Sequence, residues 1–218
     1  MKKSREQTAI NAYLKLLRSK GVDDRNIQMR ESILNDLSSL LVGKMLDGTG
    51  YRQVIEQFVE KKPADEWPII LSTAREYFHF WIEDIKSIVE MNRRQAFDKE
   101  DASWKPEQIT LNELTEKLKT EKFDSSEMWP LKAYKQALKS AGAGQALVDT
   151  RIKIVKIALI RLRRSPQKNH QTYRTVVDST LPLFRIKKSR QLFLEVVREF
   201  YHFWSGNPEA ENFILQAS

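Results

Sequence analysis

The sequence predicts an all-α protein built as a tandem duplication of a four-helix bundle-like domain, and three observations carry that expectation. A heptad recurs almost intact: Arg75-Glu76-Tyr77-Phe78-His79-Phe80-Trp81 returns as Arg198-Glu199-Phe200-Tyr201-His202-Phe203-Trp204. Self-similarity at a long period sets the size of the structural unit. The match extends outward in order, with Ala12-Tyr13, Leu17 and Gly21 returning as Ala133-Tyr134, Leu138 and Gly142 at an offset of 121, and Tyr51-Arg52 returning as Tyr173-Arg174 at 122, against 123 for the heptad. Apolar residues follow helical spacing over long segments, and the seven Gly and seven Pro cluster between them, which leaves too few turns for a sandwich or barrel. The copies fall at 1–97 and 128–218, the second with a C-terminal tail, and an acidic, partly helical connector at 98–127 joins them.

Composition narrows the function classes. With 218 residues, 41% of them hydrophobic, the chain can bury real cores. The absence of Cys removes disulfides, thiolate metal sites and a cysteine nucleophile together. No signal peptide and no apolar run long enough to span a bilayer is legible, so the expected location is cytoplasmic with no membrane partner.

In the first copy, Ile10, Tyr13, Leu14 and Leu17 define a helix over 8–20 that Gly21 stops. Ile27, Ile33, Leu34, Leu37, Leu40 and Leu41 give a second over 26–42, with Asp23-Asp24 as cap candidates. Tyr51, Val54, Ile55 and Phe58 make a short third, ended at Lys61-Lys62-Pro63. The fourth begins at Asp65-Glu66-Trp67-Pro68, where acids complement the helix dipole and Pro fits the first turn, and its periodicity runs to about Asn92. In the connector, Thr110 with Glu113 announces a capping box ahead of Leu111, Leu114 and Leu118, while Trp104, Phe123 and Trp129 suggest packing onto a domain. The second copy repeats the scheme at 130–140, 147–164, 171–181 and 189–204, and the tail, with Phe213, Ile214 and Leu215, is placed to fold back over an apolar edge.

Charge divides unevenly. The net charge of +8 splits into +2 over 1–97, −4 over 98–127 and +10 over 128–218. A field of one sign over one half points to a polyanionic partner, and a solvated basic face is the plain alternative. On the helix over 147–164, Lys153, Lys156, Arg163 and Arg164 fall on one side at 100° per residue, opposite Ile154, Val155, Ala158, Leu159 and Leu162. The first copy has Ser32, Asn35, Val42 and Gly43 at the matching positions, so the fold itself does not demand charge there. A second cluster, Arg185, Lys187, Lys188 and Arg190, opens the last helix, where cations oppose the dipole and phosphates would relieve them. Arg161, Lys168 and Arg174 complete the basic candidate set. Arg75 with His79, and Arg198 with His202, are four apart and share a polar side; a surface network with Glu76, Glu83, Glu195 or Glu199 competes there with a ligand contact.

No catalytic or metal constellation is legible. Three His without a His-x-x-x-His pair, no Gly-rich phosphate loop and no nucleophile elbow leave an enzyme and a cofactor unsupported.

The end of each copy, Leu71 to Trp81 and Phe193 to Trp204, resembles the last helix of the SAM-like core-binding domain of phage integrases and other tyrosine recombinases. The resemblance implies a small helical bundle that clamps DNA through its second and fourth helices. Carried over by position, it puts Lys153, Lys156, Arg163, Arg164, Lys187, Lys188 and Arg190 near DNA. That family's catalytic domain, with its Arg, His-x-x-Arg and tyrosine nucleophile, has no match in the chain. The expectation is therefore a non-enzymatic protein that binds nucleic acid, duplex DNA first, through the basic face of the second copy. A protein–protein interaction module is the alternative.

Overall fold

A computed structural model describes residues 4–93, 104–165 and 167–214. Among them are ten α-helices and no strand: α1 Arg5–Ser19, α2 Asp24–Leu41, α3 Gly48–Glu60, α4 Trp67–Trp81, α5 Ile85–Arg93, α6 Leu111–Thr120, α7 Ser125–Ser140, α8 Gln145–Leu162, α9 His170–Thr180 and α10 Lys187–Trp204. The chain is all-α and divides into two compact units, Met1–Ser103 and Trp104–Ser218, so the described part of the connector belongs to the second unit. Its residues 98–103 and Leu215 of the tail lie outside the described residues.

Caps set most helix starts. Ser4, Asp23, Asp47 and Asn169 each accept a backbone N–H of the first turn, and Thr110 with Glu113 closes the expected capping box. A second box, Asp124 with Glu127, starts α7 at Ser125 rather than at Pro130, leaving Pro130 inside the helix. The fourth helix also differs from its periodicity, which continues to Asn92. It stops at Trp81 because Glu83 takes a left-handed φ of 58° and the Asp84 amide donates back to His79 C=O at 2.9 Å. The Asp84 carboxylate then accepts the Ser87 amide and hydroxyl, which restarts the chain as α5.

The two units carry the same contacts at matching positions. In the first, Tyr13 OH donates to Glu76 at 2.7 Å and Arg30 donates to Glu76 at 2.6 Å and to the Tyr13 oxygen. In the second, Tyr134 OH donates to Glu199 at 2.5 Å and Arg151 to the same oxygen at 2.5 Å. Each triad ties the first, second and fourth helices of its bundle. Tyr51 donates to Ala74 C=O at 2.7 Å, and Tyr173 to Val197 C=O at 2.7 Å, which fixes the third helix on the fourth. Most of the repeated aromatics are core, with Phe78 and Tyr201 half-buried: Tyr13 meets Phe80 edge-on at 5.4 Å, and Tyr134 meets Phe203 at 5.3 Å.

The second triad is the drier one, with Arg151 and Glu199 side chains 6% and 1% exposed against 11% and 16% for Arg30 and Glu76. Burial works against the Arg151 charge, yet hydrogen bonds with Tyr134 and Glu199 and the carboxylate's field outweigh it, and its pKa rises. Burial, helped by Glu199, pushes the Tyr134 phenol well above its ordinary value, so it stays a donor.

Candidate nucleic-acid interface

The basic residues of the second unit separate into three groups. The first is α8, whose expected stripe is partly covered. The connector helix α6 packs on α8, and the segment between α6 and α7 lies across the stripe's far end. Arg163 donates to both oxygens of Glu127, at 2.7 and 2.9 Å, to Glu121 at 2.6 Å and to Lys122 C=O at 2.8 Å. Hydrogen bonds to Glu127 chiefly, with Glu121 adding, raise its pKa. Phe123 sits beneath this end, with Lys156 Nζ 5.4 Å and the Arg163 guanidinium 5.1 Å from its ring centre. Arg163 therefore fastens the connector to the bundle, while Lys153 and Arg164 remain exposed.

Arg161 does not share that stripe. It is 7% exposed, and its guanidinium donates inward to Glu107 C=O at 3.0 Å and to the Ser179 hydroxyl at 3.1 Å. A helix packed on both sides buries more than the single apolar face that a 100° wheel assigns it, and α6 is the neighbour that the wheel omits.

The second group opens α10. Arg185, Lys187 and Lys188 are exposed, the N-cap is Ile186, and no side chain caps the first amides. Arg190 folds back instead, donating to Phe184 C=O at 3.2 Å and Arg185 C=O at 2.9 Å, which shapes the turn that presents the other three. The matching region of the first unit is acidic, with Asp65 and Glu66 exposed before α4.

The third group lies around α9. Arg174 is exposed, and Lys168 is exposed with its Nζ 5.3 Å from the Trp204 ring centre. No family model, curated protein or solved structure matches the chain.

The Arg–His pairs divide. His79 pairs with Asp84 at 3.4 Å and His202 contacts Asn207 at 3.3 Å, so both rings serve the turn that ends their helix. His202 is also covered by Phe213, stacked at 3.6 Å, as the tail folds back onto α10. Arg198 is exposed and Arg75 half-buried. Glu76 and Glu199 do not join a surface network with them, because the helix turns both carboxylates toward the bundle interior and the buried arginines. The sequence signal for this was present: Arg30 and Arg151 stand at the same offset, 121, as Tyr13 and Tyr134.

Proposed function

We propose that the chain is a non-enzymatic nucleic-acid-binding protein that grips duplex DNA through phosphates, using the basic turn at the start of α10. The carrying observation is that Arg185, Lys187 and Lys188 are exposed around the uncapped first turn of an 18-residue helix. Cations there oppose the helix dipole by roughly 0.3–1 kcal/mol each, and a phosphate relieves both the cations and the open amides. Lys153 on α8, and Lys168 and Arg174 around α9, are exposed as well. Kinship with the core-binding domain of tyrosine recombinases, and descent of both units from one bundle by duplication, belong to this proposal and are supported by the repeated heptads and matching triads.

The test is fluorescence anisotropy of a labelled duplex across a salt series. Replacing Arg185, Lys187 and Lys188 with Gln should lower the salt slope by about 0.9 for each phosphate that is no longer neutralised. The same change at Lys15, Lys44 and Lys61, exposed cations of the first unit, should leave it nearly intact. Equal losses from both triple variants would reduce the attraction to diffuse charge.

One observation favours a protein partner for the first unit. Val42, Met45 and Leu46, between α2 and α3, are 64%, 78% and 48% exposed. A partner held there gives a complex that survives salt and that Met45→Lys abolishes.

A further inference from the structure

A cleft of about 360 Å³ opens in the second unit between the connector and the C-terminal end of α8. Its volume lies within the roughly 300–1,000 Å³ typical of small-molecule sites. Five basic side chains line it, Lys105, Lys117, Arg161, Arg163 and Arg164, against two carboxylates, Glu107 and Glu121. Both carboxylates are already engaged, Glu107 by Lys117 at 3.1 Å and Glu121 by Arg163 at 2.6 Å. Lys105, Arg161 and Arg164 are left without an ion-pair partner among the described residues.

Arg161 is the unusual member. The buried arginines Arg30 and Arg151 each hold a carboxylate, at 2.6 and 2.5 Å. Arg161, 7% exposed, makes no ion pair among the described residues: its terminal nitrogens donate to Glu107 C=O and Ser179, and its Nε, like those of Arg30 and Arg151, is buried without a hydrogen-bond partner there. Desolvation lowers its pKa, and only the charge of Glu107 works the other way. A buried cation in this state is costly unless something anionic completes it.

Arg164 supplies an independent sign. It holds a left-handed φ of 60°, at the position where the first unit has Gly43 with φ of 74°. A side chain in that region costs roughly 1–2 kcal/mol that glycine avoids. The second unit keeps an arginine at the rim of the cleft at the expense of a better helix end.

We propose that this cleft binds a phosphate monoester, with Arg164 and Lys105 taking the phosphate, Arg161 adding its unpaired charge from the cleft wall, and Trp104, Ile109 and Ile160 taking the group that carries it. A phosphate monoester brings about −1.5 to −2 charge near neutrality and matches the guanidinium fork, whereas a single carboxylate leaves most of the surplus standing. The site is separate from the turn of α10 and does not depend on duplex binding. The phosphate can arrive on a free nucleotide or on the 5′ end of a strand, and the experiment separates these sources.

The experiment is isothermal titration of the full chain with inorganic phosphate, with a nucleoside 5′-monophosphate, and with a short strand in 5′-phosphorylated and 5′-hydroxyl forms. Saturable 1:1 binding of a phosphorylated ligand is expected. Arg164→Gly should weaken it about tenfold, as removal of one charge-assisted hydrogen bond implies, while the chain melts no lower than wild type because glycine suits the turn. Lys105→Gln, at an exposed site, should weaken it severalfold. Lys187→Gln with Lys188→Gln should leave it unchanged, which keeps this site distinct from the duplex surface. Binding of the monophosphate alone identifies a free ligand; binding only of the 5′-phosphorylated strand identifies a strand end. No saturable binding of any phosphorylated ligand, or equal affinity in the Arg164 and Lys105 variants, would overturn the proposal.

Discussion

Replacing Glu199 with Gln removes the carboxylate that stands 2.5 Å from Arg151 while keeping the shape of the side chain. Arg151 is 6% exposed, its Nε already lacks a partner, and its other carboxylate, Glu195, stands 4.0 Å away and half in solvent. Removing one partner of a buried pair typically costs 3–5 kcal/mol, and with Glu195 giving partial relief about 3 kcal/mol is expected. Glu76→Gln strips the same bond from a pair that solvent reaches, 11% and 16% exposed, so about 1.5 kcal/mol is expected there. Urea unfolding of the full chain, with hydrogen exchange read separately on α2 and α8 peptides, assigns each loss to its unit. The triple replacement Tyr134→Phe, Arg151→Met and Glu199→Leu should recover to within about 1 kcal/mol of wild type, because apolar residues of similar volume spare the desolvation of both charges and leave no phenol hydroxyl unpaired. A Glu199→Gln loss below about 1 kcal/mol, or one no larger than that of Glu76→Gln, would refute burial as the cause.

Three further outcomes follow from the same geometry. Arg163→Ala should raise hydrogen exchange in α6 and at the start of α7, with a loss of about 1–2 kcal/mol, since it frees Glu121 and Glu127 together; unchanged exchange would mean that α6 holds by apolar packing alone. Glu83→Gly should raise the melting temperature, corresponding to about 0.5–1 kcal/mol, because the left-handed turn after α4 then carries no side-chain penalty and the Arg5 pair it removes is largely exposed. Hydrogen bonds from the Thr110 backbone and hydroxyl hold the Glu113 carboxyl below its ordinary value. Its stabilising effect is therefore complete above an unfolded pKa of about 4.3 and is lost as the pH falls through the lower folded value, so Glu113→Gln, which removes the titrating group, should flatten the acid limb of a melting-temperature profile.

Helix existence was legible because period and punctuation agreed: Asp23, Thr110 with Glu113, and Gly21 each mark an end where the structure has one. The end of α4 was not, since Ile85 and Ile88 continue the apolar rhythm and no glycine announces the turn that Glu83 makes. At the start of α10, Arg185, Lys187 and Lys188 are exposed while Arg190 folds back onto the turn, and Arg161 is a cation that tertiary contacts with Glu107 and α9 bury. In the sequence Arg163 looks like a surface charge, because its partners Glu121 and Glu127 lie 42 and 36 residues away. A composition of opposite signs in connector and helix hinted at such pairing, but charge totals do not say which residues meet.

The paired triads also bear on how the chain reaches its native state. Tyr134 and Arg151 would be satisfied by the carboxylate of Glu76 as well as by that of Glu199, so the fastening itself does not distinguish α4 from α10. Sorting falls to order of emergence, with α1 and α2 meeting α4 during synthesis more than a hundred residues before α10 exists. Dilution from denaturant erases that order and offers both closures at once. The repeat thus gives synthesis from the N-terminus an advantage over refolding of the whole chain, where the two closures compete.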